Sequence, residues 1–498
     1  MRRHNMTLQV LLDGITYEKN NTHINLDEIN IAHITIDSRK VVPGTLFICL
    51  RGLNVDGHDY IDAAFASGAV AILTEQPCES VGAAIITVQN TRQAMAYVAA
   101  NFYNNPAKKL RLIGVTGTNG KTTTTYFIEE ILRKLGAKTG IIGTVGARVG
   151  ETPLDIPFAT STTPDPLELH AMFAKMVDAG VEFLVMEVTS HALALYKMEG
   201  LAFEIGVFTN LTQDHLDFHG TMEKYKRAKA QLFLQSKFAI VNMDDEASAT
   251  MLEHHGDDPY LAYGIDSQCV DVSGASSVMK AVNVKYLPDG TNFELDSGMY
   301  KLPVGGRFNV YNILATIGVA HTLGYQLDAV KTAVASISGV PGRIQSVPNN
   351  LGVQIYVDYA HSPDSLEKII MSIKEITPGR VVTIFGCGGD RDTAKRPIMG
   401  RIASELSHHT IITSDNPRTE NPFVIIKQIE EGIDAQNASY EVVENRREAI
   451  ETGVNMLKSG DSLIIAGKGH EDYQEINITK YPFSDFDTAV ATLTKNAI

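Results

Sequence analysis

Gly117-Thr-Asn-Gly-Lys-Thr-Thr123 joins glycine, lysine and hydroxyl residues at a spacing suited to holding phosphate. Ahead of it, Leu110-Arg-Leu-Ile-Gly-Val115 is apolar enough for a buried strand. Behind it, the stretch from Tyr126 to Leu135 repeats apolar residues at helical spacing. A glycine turn between strand and helix aims backbone N–H groups and the helix N-terminus at one point, where phosphate binds. Lys121 adds a positive charge, and the Thr122 hydroxyl suits magnesium. The strict P-loop pattern wants glycine where Val115 stands, so Gly117-x-x-Gly120-Lys121-Thr122 is a shorter variant. It points to a nucleoside triphosphate; the alternative is a glycine-rich turn with an incidental lysine.

Further groups follow other strand-like runs. Glu187 closes Phe183-Leu-Val-Met-Glu187, where an acid suits a magnesium ligand or an anchor for water. After Ile205-Gly-Val-Phe-Thr209, the segment Asn210 to Gly220 packs Asp214, His215, Asp217 and His219 together, for metal or phosphate duty or as a hydrogen-bonded loop. The helical stretch Thr221 to Phe233 carries an apolar stripe of Tyr225, Ala228, Leu232 and Phe233, and Lys229 falls on it. An inward lysine is desolvated, which lowers its pKa and frees a neutral amine. Carbon dioxide can convert that amine to a carbamate, a carboxylate on a long arm. Snorkelling, with the stem buried and the head in water, is the alternative. Arg343 lies in a Pro-Gly-Arg turn and could reach a γ-phosphate. Asp358 ends a strand, where an acid often binds a ribose hydroxyl. Gly386-Cys-Gly-Gly-Asp-Arg391 fails the dinucleotide fingerprint, which wants glycine where Arg391 stands. Asp415-Asn-Pro-Arg418 presents an arginine suited to a carboxylate, and Gly467-Lys-Gly-His-Glu471 ends the last strong strand.

These groups need a scaffold. A chain of 498 residues has room for about three domains. It is 44% hydrophobic and 20% charged, the balance of a globular protein. The first section, 1–108, alternates short strands and helices and ends in the polar linker Asn104 to Lys109. The second, 109–338, alternates apolar strands with helices, as a mainly parallel sheet requires, with an antiparallel flap expected from about Val270 to Leu302. The third, 339–498, shows strands at Val353–Asp358, Val381–Phe385, His409–Thr413 and Ser462–Ala466, each followed by a polar turn. Ligands of open α/β sheets bind beyond strand carboxyl ends, so those turns form the expected pocket. There is no run of about 18 apolar residues for a membrane span and no signal-peptide core. Met6 is an alternative start to Met1. The four cysteines show no metal or redox spacing and are expected as free thiols in a reducing cytoplasm. A net charge of −15 excludes general attraction for nucleic acid.

Together these stretches resemble the Mur ligases of peptidoglycan synthesis, over essentially the whole chain. The resemblance also rests on Thr35-Ile-Asp-Ser-Arg39, Ser161-Thr-Thr163, Met186 to His191 and Gly306-Arg-Phe-Asn-Val-Tyr-Asn312. It implies three α/β domains: an N-terminal domain for a UDP-sugar, a central P-loop ATPase domain with a mainly parallel sheet, and a Rossmann-like C-terminal domain for the incoming amino acid. It implies that Ser38 binds the UDP-sugar, and that Thr162, Thr163, Thr189 and Lys197 touch the muramoyl dipeptide of UDP-MurNAc-L-Ala-D-Glu. ATP would lie on Gly117, Thr118, Asn119, Gly120, Lys121, Thr122, Thr123, Asn309, Asn312, Arg343 and Asp358. Magnesium would lie on Thr122, Glu187, His215 and a carbamylated Lys229. Lys121, His215, Lys229 and Arg343 would serve catalysis. Arg391, Asp415, Asn416, Pro417, Arg418, Gly467 and Glu471 would hold meso-diaminopimelate.

The family usually has serine at Thr189 and often arginine at Lys197, so bidentate geometry is lost at Lys197. Members resembling this chain with Asp-Asn-Pro-Arg use meso-diaminopimelate, whose distal carboxylate an arginine clamps. The implied reaction runs through an acyl phosphate on D-glutamate, in a cytoplasmic monomer with no nucleic-acid partner and no membrane insertion. Alternatives are an L-lysine-adding member or a folylpolyglutamate synthetase-like ligase, which lacks the UDP-sugar domain. A GTPase is disfavoured because Val241-Asn-Met-Asp-Asp245 lacks the Asn-Lys-x-Asp lysine.

Overall fold

The computed structural model describes residues 6–19, 24–52, 55–78, 83–156, 162–266, 269–287 and 290–496. Ser161 and the Met1 to Asn5 extension lie outside the described residues. Contacts group Met1–Lys280 with Leu314–Tyr325, and Ala281–Ile313 with Gln326–Ile498, so all three crossings between the units fall inside the 109–338 section.

The first unit holds two main sheets. The smaller runs Glu18–Lys19, Ala84–Thr87, Ala69–Thr74, Thr45–Ile48, His33–Thr35, parallel but for its first pair. Leu46, Ile48, Leu73 and Ile86 face Met95 and Val98 of the helix Thr91–Phe102. Asn90 caps that helix by accepting from the Arg92 and Gln93 N–H groups.

The larger sheet has nine strands in the order Thr152–Pro153, Gly146–Val149, Thr139–Gly143, Phe183–Glu187, Arg111–Thr116, Ile205–Phe208, Ala239–Asn242, Tyr260–Gly264, Ser277–Lys280. It is parallel from Thr139–Gly143 onward, with antiparallel pairing only at the Gly146–Val149 edge. Beyond the partly exposed Arg111 its central strands are buried, as helices on both faces require, which is why they read as apolar runs. The phosphate-loop strand lies between Phe183–Glu187 and Ile205–Phe208. The turns after all three strands therefore open side by side at one edge.

The expected antiparallel flap is shorter than the sequence suggests. Ser277–Lys280 pairs parallel with Tyr260–Gly264, and only Val282–Leu287, Gly290–Leu295 and Gly298–Leu302 form the antiparallel sheet. β-rich composition alone does not distinguish a parallel edge strand from a hairpin.

The second unit centres on a six-stranded sheet ordered Gln345–Ser346, Gln354–Asp358, Ser462–Ala466, Val381–Phe385, His409–Ile412, Tyr440–Val442, parallel but for its first pair. Asp358 pairs with Ala466, and Phe385 with Ile412, so these strands end together and their following turns share one edge. Apolar layers built on Ile369, Ile370 and Met399, and on Ile450, Ile465 and Leu493, cover the two faces. Among the described residues, no helix is long and apolar enough to cross a membrane.

Candidate active site

Gly117 begins the phosphate loop with φ at +149°, and a Cβ there would collide with the Thr209 hydroxyl. Only glycine fits that approach. The loop is tied to the next strand's turn. Thr118 N–H donates to Asn210 O at 2.8 Å, and Asn119 N–H donates to Asn210 Oδ1 at 3.0 Å. Thr209 Oγ1 donates to Asn119 O at 2.7 Å. Gly120 then caps the helix Lys121–Lys134, whose first turn presents Thr122. The Lys121 ammonium donates to the carbonyls of Gly117 and Thr118 at 3.0 and 2.7 Å.

Glu187 is buried and fully engaged. Thr122 Oγ1 donates to Oε2 at 3.0 Å, Thr144 N–H to Oε1 at 2.7 Å, and Thr144 Oγ1 to Oε2 at 3.2 Å. Thr144 is a residue the sequence reading missed; nothing in a Gly-Thr-Val turn marks it. Thr162 Oγ1 lies 3.2 Å from Thr144 Oγ1. Thr163 Oγ1 donates to the Glu187 carbonyl at 3.0 Å and to Thr189 Oγ1 at 3.2 Å. Lys197 Nζ donates to Thr163 O at 3.2 Å and pairs with Asp165 at 3.0 Å. The hydroxyls expected on the dipeptide thus form one continuous chain with the P-loop acid.

Lys229 lies on the buried face of the helix Met222–Leu234, 1% exposed. The snorkelling alternative is excluded by that burial. Ala228 is only half-buried, and Ala230 takes its place in the core. Nζ of Lys229 donates to Gly117 O at 2.7 Å and stands 4.5 Å from the Tyr225 ring centroid. Tyr225 OH lies 3.1 Å from Thr118 Oγ1, so the helix and loop are locked together. Burial, reinforced by Lys121 and opposed by Asp214, holds the Lys229 amine well below the usual lysine range. His215 sits at φ +52° beside Asp214, its ring 4.8 Å from His191. Burial lowers the His215 pKa, and takes His191 down to about 4.

Thr122, Glu187, His215 and Lys229 therefore converge on the phosphate loop. Ser38 is half-buried in a turn capped by Asp37, whose carboxyl Arg39 holds below the usual range. Asn309 and Asn312 are buried, with Asn309 Nδ2 donating to Gly305 O at 2.8 Å and Asn312 Nδ2 to Asn309 Oδ1 at 3.3 Å.

In the second unit, Asp358 behaves as a clamp. Its oxygens accept the Ile344 and Ala360 N–H groups, each at 2.8 Å. Burial pushes its carboxyl up, against the pull of Arg343. The clamp fixes the turn carrying Arg343, where Gly342 has φ +68° and Ile344, a β-branched residue, φ +43°. A Cβ on Gly342 would strike the His470 backbone nitrogen. The Arg343 guanidinium stands 4.8 Å from the Tyr359 ring centroid. Asp358→Ala is expected to cost about 1–3 kcal/mol, because two buried donors lose their acceptor; thermal unfolding checks it.

The residues expected to hold the amino acid lie on turns at the sheet edge. Asn416 Nδ2 donates to Glu471 Oε2 at 2.8 Å. Lys468, fully buried, donates to Asn416 Oδ1 at 3.0 Å and to Glu471 Oε2 at 2.8 Å. Gly467 packs against the Asp415 carboxylate. Arg418 Nη1 donates to Gly389 O at 2.7 Å. Arg391 is exposed and donates to the neighbouring Asp390 O at 3.1 Å. The buried Arg396 was not singled out in the sequence, yet it pairs with both Glu420 oxygens at 2.9 Å and holds Gly388 O at 3.1 Å. It ties the turn carrying Arg391 to the segment after Arg418.

Three family models match: Mur ligase family, catalytic domain, over residues 30–103; Mur ligase middle domain, over 115–320; and Mur ligase, glutamate ligase domain, over 342–469. UDP-N-acetylmuramoyl-L-alanyl-D-glutamate--2,6-diaminopimelate ligase 1 of Clostridium acetobutylicum is 43% identical over 476 residues, 94% of this chain and 95% of that one. The ligase of the same name without the numeral from Clostridioides difficile is 42% identical over 497 residues, 98% of this chain and 100% of its own. A solved structure of a UDP-N-acetylmuramoyl-L-alanyl-D-glutamate--2,6-diaminopimelate ligase superposes with a TM-score of 0.71 at 31% identity, covering 99% of this chain and 100% of that one. With relatives this similar matched from end to end, the chain belongs to the Mur ligase family.

Proposed function

We propose that this chain is the ATP-dependent ligase that joins meso-2,6-diaminopimelate to the γ-carboxylate of D-glutamate in UDP-MurNAc-L-Ala-D-Glu, in the cytoplasm. The observation that carries the reading is the convergence of Thr122, Glu187 and a fully buried Lys229 on the Gly117 loop, in a chain over 40% identical to ligases named for this reaction.

The γ-carboxylate attacks the γ-phosphorus of ATP, giving an acyl phosphate and ADP. A neutral amine of diaminopimelate then attacks the acyl carbon, the C–O bond to phosphate breaks, phosphate leaves with that electron pair, and the nitrogen loses a proton to give the amide. Lys121 exchanges its loop carbonyls for phosphate oxygens and stabilises the charge in transfer. Arg343, fixed by the Asp358 clamp, is assigned to ATP phosphate, and Asn309 and Asn312 to adenine. Thr162, Thr163, Thr189 and Lys197 hold the dipeptide, and Ser38 the UDP end. Asp415, Asn416 and Glu471 take ammonium groups of diaminopimelate; Arg391 and Arg418 take carboxylates.

The donors at the loop fit magnesium. Thr122 and Glu187 are hard oxygen ligands 3.0 Å apart. Among the described residues, no group of three His, Cys, Asp or Glu side chains could hold a metal alone. That suits an ion completed by phosphate and water. Bound magnesium would neutralise the phosphate oxygens of the transferring group. His215 and a Lys229 carbamate, formed when the neutral amine adds to carbon dioxide and loses a proton, would complete the site.

Phosphate release with UDP-MurNAc-L-Ala-D-Glu and ATP, comparing meso-diaminopimelate with L-lysine, tests the reading. Release that depends on diaminopimelate is expected, and preference for L-lysine refutes it. Thr144→Val should lower kcat about 10- to 100-fold, as loss of an outer support to a metal ligand does, while KM for diaminopimelate holds.

A further inference from the structure

Arg418 occupies a left-handed backbone position, φ +50°, alongside the hairpin Tyr473–Ile476 and Thr479–Pro482. Its N–H donates to Glu475 O at 3.1 Å, and Asn477 N–H donates to Arg418 O at 2.9 Å. Glu475 N–H in turn donates to Asn416 Oδ1 at 2.9 Å. The hairpin is thereby pinned to the Asp415–Arg418 turn by two backbone pairs and by the Asn416 side chain. This pairing delivers the Glu475 carboxylate to the Arg418 guanidinium, Nε to Oε2 at 3.3 Å. Gly389 O holds Nη1 from the other side. Nη2 is left without a protein acceptor among the described residues. The side chains of Arg418 and Glu475 are 20% and 21% exposed, so the pair is sheltered but open to a ligand. Among the described residues, Arg418 is the only side-chain partner of the Glu475 carboxylate.

We infer that Glu475 sets the charge preference of the distal amino-acid subsite. It positions the guanidinium so that Nη2 meets a distal carboxylate, and its own carboxylate is a cation acceptor that Arg418 masks. The inference rests on the reading of Arg418 as the diaminopimelate clamp. A substrate ending in a lone ammonium meets the guanidinium and finds the carboxylate already paired. Once Arg418 is removed, the same carboxylate faces the pocket unpaired. It then attracts the ε-ammonium of L-lysine and repels the distal carboxylate of diaminopimelate.

The test measures kcat and KM for both amino acids at saturating ATP and UDP-MurNAc-L-Ala-D-Glu. It compares the wild type, Glu475→Gln, Arg418→Ala, and the double variant Arg418→Ala with Glu475→Gln. Glu475→Gln keeps side-chain volume; it should raise KM for diaminopimelate about tenfold, with kcat and the KM for ATP within about twofold. Arg418→Ala should lower kcat/KM for diaminopimelate about 1000-fold and raise that for L-lysine about tenfold. The double variant should lose the lysine gain. A double variant that keeps the gain, or an unchanged KM for diaminopimelate in Glu475→Gln, overturns the inference and leaves the proposed reaction standing. A wild type that prefers L-lysine overturns the reading of Arg418, and the inference with it.

Discussion

Lys229→Ala is expected to reduce turnover by at least about a thousandfold, the scale seen when a residue acting as part of a catalytic unit is removed. The side chain spans from the buried face of its helix to the carbonyl of Gly117, the residue that opens the phosphate loop. Alanine removes both that contact and the arm that would carry a carbamate. Formate or acetate should restore part of the activity, because either supplies the missing carboxylate. Lys229→Met, which keeps the stem, should be as inactive and should show the same rescue. Normal activity in either variant would sink the carbamate role. The lowered pKa fixes a pH dependence. Burial and Lys121 favour the neutral amine, the form that adds to carbon dioxide. Activity at limiting carbon dioxide should fall as acid protonates the amine, and added bicarbonate should oppose the fall. The unfolded chain keeps a lysine proton up to about pH 10.4. Between the lowered pKa and that value the unfolded state binds more protons, so this residue makes stability rise with pH.

The strand frame was legible because its chemistry is local. Phe183–Glu187 and Val381–Phe385 occupy the positions their apolar runs indicate, and a buried parallel strand has little other way to appear in sequence. Lys229 was legible for a related reason: Tyr225, Leu232 and Phe233 at helical spacing fix a buried face, and the lysine shares it. Supports contributed from far along the chain were not legible. Thr144 reaches Glu187 across 43 residues. Arg396 reaches Glu420 across 24, and Lys468 meets Asn416 across 52. Their pairing depends on strand order, which periodicity does not encode. Asp358 shows a second limit. A strand-end acid signals ligand binding by position, but position does not reveal that its oxygens also accept the Ile344 N–H, which braces the Arg343 turn, and the Ala360 N–H.

Asp485→Ala is expected to cost about 3–5 kcal/mol, the scale for breaking a buried ion pair from one side. Arg446 and Asp485 are both fully buried, joined by Nε to Oδ1 and Nη2 to Oδ2 contacts of 2.7 Å each. Asp485 opens the helix Asp485–Asn496 and Arg446 opens the helix Arg446–Asn455, so the pair fastens the two helices together at their starts. Alanine leaves an arginine charge in the core with Ala466 O at 2.9 Å and Asp415 at 3.7 Å in place of the bidentate partner. Denaturant unfolding followed by a probe in the C-terminal section reads the loss. Replacing both partners, Arg446→Met with Asp485→Leu, removes the stranded charge and should recover most of the stability. It should not recover affinity for the amino acid. In the proposed pocket Asp415 would supply a carboxylate, and Arg446 is the buried cation beside it. A stable double variant with a KM for diaminopimelate raised about tenfold, and the KM for ATP unmoved, would separate the two roles of Arg446. An unchanged KM for diaminopimelate would confine Arg446 to holding the helix.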